Sequence, residues 1–279
     1  MPQPAAASSV AIALTIAGSD CSGGAGIQAD LKTFSALGVY GATVITALTA
    51  QNTLGVQAVQ PVAQAFITQQ LTSVLSDLAV GAIKTGMLPD ADAIGAVVRA
   101  LDDHPAVPVV VDPVLVATSG DKLAADDVGA TLKCDLMPRA TLLTPNLLEA
   151  ATLLATDVAT SEAAQLQQGQ ALCDLGARAV LVKGGHGTGA AARDVLVGIG
   201  EPVWFDLPRL ATSNTHGTGC TLAAAITALL ARRVGVAEAV ARAKRYVWEA
   251  INAGHSMTIG AGNGPIDHLY AIRSSDPPV

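Results

Sequence analysis

Short apolar runs alternate along this chain with stretches in which apolar residues recur every three or four positions. Runs that are hydrophobic at nearly every position fit strands covered on both faces. The intervening period fits helices, so the pattern predicts an α/β fold with a central, mostly parallel sheet and helices on both faces. Strands are predicted at residues 10–17, 39–48, 80–83, 107–111, 140–143 and 179–182. Ile27, Leu31, Phe34 and Leu37 mark one helix face, and Ile67, Leu71, Val74, Leu75 and Leu78 mark a second after Pro61. Further helices are predicted near residues 90–101, 124–134, 146–154 and 161–175. Past Lys183 the rhythm changes. Residues 194–198 and 202–206 flank Gly198-Ile199-Gly200-Glu201 and predict a small antiparallel hairpin, followed by helices at 218–233 and 236–252. No repeat, linker or low-complexity run divides the chain, so one domain is expected over residues 10–273, between tails at 1–9 and 274–279.

Hydrophobic residues make up 51% of the 279 and charged residues only 14%, so membrane insertion has to be weighed. Residues 33–76 contain no Asp, Glu, Lys or Arg. Yet the longest apolar-plus-Thr run there, residues 39–50, falls short of the ~20 residues a spanning helix needs. Buried α/β elements are the better reading. No Lys or Arg precedes the apolar run at 10–17, and Asp20 spoils a small-residue cleavage pattern, so no export signal is expected. A net charge of -7 without a basic cluster argues against nucleic acid, and 3% aromatics argue against a base-stacking platform. Cys21, Cys134, Cys173 and Cys220 form no CxxC pair and no Cys/His metal spacing. Reduced thiols in a cytoplasmic protein are expected.

Asn214-Thr215-His216-Gly217-Thr218-Gly219-Cys220 runs straight into a helical pattern. Backbone N–H groups and a positive helix end meet there, which suits a phosphate, although an ordinary Gly/Thr cap reads the same way. No G-x-x-x-x-G-K-[ST] occurs, so a P-loop is excluded and this loop must do much of any phosphate handling. Gly24-Ala25-Gly26-Ile27-Gln28-Ala29 matches a dinucleotide fingerprint. However, the first strand is expected to end near Ala17, and the second leads to Gln51 and Asn52 rather than to an acid. A glycine loop that lets backbone approach a small substrate, with Asp20 or Asp30 as polar contacts, fits better. Asp112 follows a buried strand, Asn146 and Glu149 share a helix start where Asn146 also fits a cap, and Lys183-Gly184-Gly185-His186 follows another strand. Their joint placement at strand ends predicts one crevice. Phosphoryl transfer needs oxygen ligands for Mg²⁺, a cation on the transferring group and backbone donors around it. Asp112, Glu149, Lys183 and the glycine loop make up that set.

Ile16-Ala17-Gly18-Ser19-Asp20, Gly23-Gly24-Ala25-Gly26-Ile27-Gln28-Ala29-Asp30, the run from Val44 to Asn52, Lys84-Thr85-Gly86-Met87-Leu88, Asp112-Pro113-Val114, Thr144-Pro145-Asn146, Lys183-Gly184-Gly185-His186, Gly217-Thr218-Gly219-Cys220 and Gly262-Asn263-Gly264-Pro265 occur in that order. Together they resemble the hydroxymethylpyrimidine/phosphomethylpyrimidine kinases of thiamine biosynthesis, within the ribokinase-like superfamily. The resemblance implies two ATP-dependent phosphorylations, of 4-amino-5-hydroxymethyl-2-methylpyrimidine and then of its monophosphate. It implies that Gln51 bonds the aminopyrimidine, with Gly18, Asp30, Met87 and Val114 shaping the pocket. Lys183, Thr215, Gly217, Gly219 and Asn146 would hold ATP, and Asp112 and Glu149 would hold Mg²⁺. Cys220 stands where sugar kinases of the superfamily carry an Asp base. A thiol lowered by the helix N-terminus would serve as the base, with Gly217, Thr218 and Gly219 forming the anion hole. Cys21 departs from the family's usual Pro or small residue. Homodimers are implied too. Pyridoxal kinase activity and a non-catalytic pyrimidine sensor stand as alternatives.

Overall fold

A computed structural model describes residues 10–115, 127–185 and 189–273. Both predicted tails, His186 and residues 124–126 of a predicted helix lie outside the described residues. The chain runs β1 (Ile12–Asp20), α1 (Gly26–Ala36), β2 (Tyr40–Asn52), β3 (Gly55–Pro61), α2 (Gln64–Leu75), β4 (Ala82–Thr85), α3 (Ala91–Asp102) and β5 (Val109–Val111). It continues through α4 (Val128–Thr131), β6 (Leu142–Leu143), α5 (Leu147–Leu154), α6 (Glu162–Asp174) and β7 (Val180–Val182). The last elements are β8 (Ala191–Val197), β9 (Val203–Pro208), α7 (Thr218–Ala231), α8 (Val236–Gly254) and α9 (Tyr270–Arg273).

The nine strands among the described residues join one sheet in the order β3-β2-β1-β4-β5-β6-β7-β8-β9. The six from β2 to β7 are parallel, while β3 at one edge and β8–β9 at the other are antiparallel. The inner strands β4, β5, β6 and β7 are buried at every position, which is why their sequences are short unbroken apolar runs. One face of the sheet packs against residues of α2, α3, α5 and α6, the other against α7 and α8. Thr221 to Leu230 of α7 are all buried, matching a helix that is apolar all round. Among the described residues no helix is long and apolar enough to cross a membrane.

Three departures from the predicted pattern bear on the site. β1 does not end at Ala17. It continues through Gly18, Ser19 and Asp20 after a register shift, so polar residues are carried on the strand itself. The β2–β3 hairpin was not expected, because β3 is a half-exposed edge whose valines and glutamines give no clean alternation. Its turn is held from a distance: Asn263 N–H donates to the Thr53 carbonyl (2.9 Å) and Gly262 N–H to Thr53 Oγ1 (3.1 Å). In place of the helix predicted at 124–134, α4 gives way to a wider turn at Leu132–Leu136. The predicted second hairpin is present as β8–β9.

Candidate active site

Because the inner strands run parallel, the loops at their carboxyl ends open together, and they surround a cavity of about 1310 Å³. Every candidate residue from the sequence lines it except Asp30. Gly18, Gln51, Met87 and Val114 come from at or just beyond the ends of β1, β2, β4 and β5, and all four line the cavity. A side chain at Gly18 would press on Met87, since a Cβ there would lie 2.7 Å from the methionine sulfur.

Asp30 has a different place from the one expected. Its carboxylate is fully buried, bonded twice to Lys84 Nζ (3.0 and 2.8 Å) and to Thr15 Oγ1 (2.6 Å). Lys84 lines the cavity in its stead. Burial works against the Lys84 ammonium, but the charges of Asp30, Cys220 and Asp112 override it and hold the lysine above its ordinary pKa.

The phosphate-type loop is built as its glycines suggest. Gly217 caps α7 at φ 80, where a Cβ would collide with the Gly24 carbonyl, so only glycine fits. The first intrahelical bond runs from Thr221 N–H to the Gly217 carbonyl (2.9 Å), and the Gly219 and Cys220 amides precede it without a helical acceptor. Thr218 donates both N–H (3.2 Å) and Oγ1–H (2.7 Å) to the Thr215 carbonyl, tightening the loop. Asn214 braces it from behind, donating to the Gly254 and Met257 carbonyls at 2.8 Å each.

Beside the loop, Lys183 Nζ lies 2.9 Å from Asp112 Oδ1 and 3.9 Å from Glu149 Oε2. A Cβ on Gly219 would sit 3.4 Å from that ammonium, so lysine and loop address one point. Asn146 and Glu149 form a reciprocal cap on α5, with bonds of 2.8 and 2.7 Å. Burial first, then the charge of Asp112, pushes the Glu149 carboxyl up to about 7 against the pull of Lys183. Two carboxylates around one ammonium leave a negative excess. No cluster of three or more metal-type ligands occurs among the described residues. Such a pair fits Mg²⁺, which binds through few carboxylates and takes water and phosphate oxygens for the rest. Lys183 itself is held above its ordinary value, burial being outweighed by Asp112 and Glu149.

Cys220 reverses an expectation. Burial pushes its thiol up to about 11, with Lys84 and a bond from Gly26 only partly opposing. Burial, not the helix N-terminus, sets the direction of its shift.

Sequence reasoning also missed a link between the two glycine loops. Asp20 accepts from Ser22 N–H (2.8 Å), Ser22 Oγ–H (2.7 Å), Gly24 N–H (3.1 Å) and Ala25 N–H (2.8 Å), and its Oδ2 lies 2.9 Å from His216 Nε2. Burial alone would raise this carboxyl, but the bonds from His216, Ser22 and Ala25 hold it well below the usual range. Both partners were visible in the quoted motifs. What was missing was the contact across 196 positions.

Farther along, His268 backs the loop, its Nε2 lying 3.0 Å from Thr221 Oγ1. Burial, reinforced by the charges of Lys32 and His216, lowers it to about 4. A depressed folded pKa favours the neutral ring, so its stabilisation is complete above the unfolded value near 6.5 and is lost as pH falls through 4. Glu149, raised instead, loses stabilisation as pH rises through 7. The two oppose each other, so a difference is needed to isolate His268. Between pH 7 and 4 the wild type is expected to lose about 3 kcal/mol relative to His268→Gln in urea unfolding. Parallel pH profiles would contradict this.

A mostly parallel sheet with antiparallel edges, with a glycine-rich loop at the start of α7 and no P-loop, fits the ribokinase-like phosphotransferases, the fold of the structures it superposes on. The family model for phosphomethylpyrimidine kinase matches residues 20–267, and the chain belongs to that family. It is 51% identical over 260 residues to the hydroxymethylpyrimidine/phosphomethylpyrimidine kinase of Rhizobium meliloti, covering 93% of this chain and 97% of that one. The phosphomethylpyrimidine kinase structure from Clostridium difficile 630 superposes with a TM-score of 0.76 at 41% identity, covering 86% of this chain and 99% of that one. An ADP complex of Bacillus subtilis pyridoxal kinase superposes with a TM-score of 0.86 at 36% identity, covering 96% and 100%.

Proposed function

We propose that residues 10–273 act as one kinase domain that transfers the γ-phosphoryl group of ATP to 4-amino-5-hydroxymethyl-2-methylpyrimidine and then to its monophosphate, in thiamine biosynthesis. The observation that carries this reading is one cavity lined by Gly18, Gln51, Met87 and Val114 together with the helix-start loop and Lys183, with Gln51 3.2 Å from His216 of that loop. Gln51 offers an acceptor and a donor to an aminopyrimidine, and Met87 and Val114 offer apolar contact. Lys183, Thr215, Gly217, Gly219 and Asn146 hold the phosphates. The cavity lining also includes Leu207, Pro208, Val247 and Ile251, the kind of apolar side chains a nucleoside base requires. Mg²⁺ held by Asp112 and Glu149 would neutralise phosphate charge.

In the transfer, a bond forms from the substrate hydroxyl oxygen to Pγ and the bond from Pγ to the ADP oxygen breaks. The loop amides and Lys183 stabilise the charge on the moving group, which in a largely dissociative transition state is most of the work. The hydroxyl proton passes to the Cys220 thiolate. With a thiol near 11 that form is scarce at neutral pH, so kcat is expected to rise between pH 7 and 10. Cys220→Ala is expected to lower kcat about 10²-fold and to abolish that rise. Near-normal turnover would leave only the anion hole.

Pyridoxal phosphorylation is a second reading, favoured by the overlap with the Bacillus subtilis enzyme. Parallel assays with both ring substrates and Mg²⁺-ATP decide, and faster pyridoxal turnover would replace the first reading. Absence of ADP release with either substrate would favour the sensor. A homodimer in the cytoplasm completes the proposal. The uncharged stretch 33–76 forms the β3 edge and exposes Tyr40, Leu48, Leu54 and Phe66, an apolar surface suited to a second copy.

A further inference from the structure

An amide can face a ligand either way round, and the bonds around Gln51 decide which way it faces. Thr49 Oγ1 lies 3.0 Å from the Ser19 carbonyl and 3.2 Å from one end of the Gln51 amide. A hydroxyl carries one hydrogen. Both contacts are attractive only if Thr49 donates to the carbonyl and accepts from the amide, so the Gln51 NH2 faces Thr49. The other end of the amide lies 3.2 Å from His216 Nε2, which is 2.9 Å from Asp20 Oδ2. Asp20 already accepts four bonds and is ionised, so Nε2 must carry a hydrogen. That one hydrogen is directed at Asp20, and a protonated ring nitrogen has no lone pair to accept from an amide N–H, so the amide end facing it is the oxygen, which shares the hydrogen. Two constraints at opposite ends give one answer: the NH2 faces Thr49 and the oxygen faces His216.

We infer that Thr49 and His216 are positioning residues that lock the Gln51 amide in one orientation and so select 4-aminopyrimidines over their 4-oxo counterparts. The inference rests on Gln51 binding the pyrimidine. In the locked state the second lone pair of Oε1 accepts from the exocyclic amino group, and the second N–H donates to ring N3. A 4-oxo ring in its lactam form offers a carbonyl and an N3–H, which reverses both partners. Oxygen then meets oxygen and N–H meets N–H, a mismatch that rejects by roughly 10³-fold or more. The same lock sets which way the ring lies. A reversed amide would take the ring turned over, with the 2-methyl group where the 5-hydroxymethyl belongs.

The test is the ratio of kcat/KM for the amino substrate to that for its 4-oxo analogue, measured with Mg²⁺-ATP. Thr49→Val keeps the shape and removes the hydroxyl, and it is expected to lower the ratio about tenfold, mainly through the two KM values. Thr49→Ser is expected to restore it, and His216→Ala to shift it in the same direction as Thr49→Val. Equal losses on both substrates, leaving the ratio unchanged, would overturn the inference, because a merely structural role predicts that result. The amide orientation is read separately in the ¹⁵N-labelled wild type. Nuclear Overhauser contacts from the Gln51 NH2 protons to the Thr49 methyl are expected, and contacts to the His216 ring instead would overturn the lock. If the wild type ignores the aminopyrimidine, the functional reading fails, while the Overhauser contacts still decide the orientation.

Discussion

Replacing Lys183 with methionine is expected to lower kcat by roughly 10³-fold or more at saturating ATP and pyrimidine, with the fold retained. Its ammonium lies between Asp112 and Glu149 and directly over Gly219, where the transferring group meets the loop amides. Lys84 also lines the cavity, but it is fully buried and bonded twice to Asp30. The loss should fall on kcat rather than on the KM for the pyrimidine, because Gln51 and Met87 are untouched. Stability should change little, since Glu149, already near 7, can take up a proton where the ammonium was. Rapid-quench turnover with both substrates saturating checks this. A kcat within tenfold of wild type would mean that Lys183 serves only to compensate two buried acids.

Lys84→Met is expected to have the largest effect on stability, a loss of about 3–5 kcal/mol. Lys84 and Asp30 are both fully shielded, and removing one leaves an uncompensated carboxylate that only Thr15 still contacts. A buried pair is weak support for a fold overall, because its desolvation offsets most of its attraction. The double variant Lys84→Met with Asp30→Leu is therefore expected to regain most of the loss in urea unfolding, while its turnover stays low because Lys84 borders Cys220. A single variant within about 1 kcal/mol of wild type would show that the pair is solvated or exchangeable.

The parallel centre of the sheet could be read in advance because β4 to β7 are buried on both faces, and only near-continuous apolar runs meet that demand. β3 could not, because a half-exposed edge strand reading Gly-Val-Gln-Ala-Val-Gln-Pro shows neither a continuous apolar run nor a clean alternation. The loop at Asn214–Cys220 was readable because left-handed backbone at Gly217 leaves glycine as the one solution. Asp30 was misplaced because an acid beside a glycine loop looks like a ligand contact, whereas its partner Lys84 lies 54 positions away. That lysine did carry a signal. It is the one charged residue in a strand otherwise built of Ala82, Ile83 and Thr85, and a charge there demands a counterion. The Cys220 thiol illustrates a competition of magnitudes. A helix N-terminus and a nearby ammonium lower a thiol, but burial raises it further, and burial depends on packing that no local pattern records.

The central claim, phosphoryl transfer from ATP to the aminopyrimidine hydroxymethyl, is tested most directly by following the purified protein with ³¹P NMR. The sample holds Mg²⁺-ATP and 4-amino-5-hydroxymethyl-2-methylpyrimidine. The expected course is a pyrimidine monophosphate signal that rises and gives way to the diphosphate, with ADP formed at each step. An ATP spectrum unchanged by the pyrimidine would contradict the account.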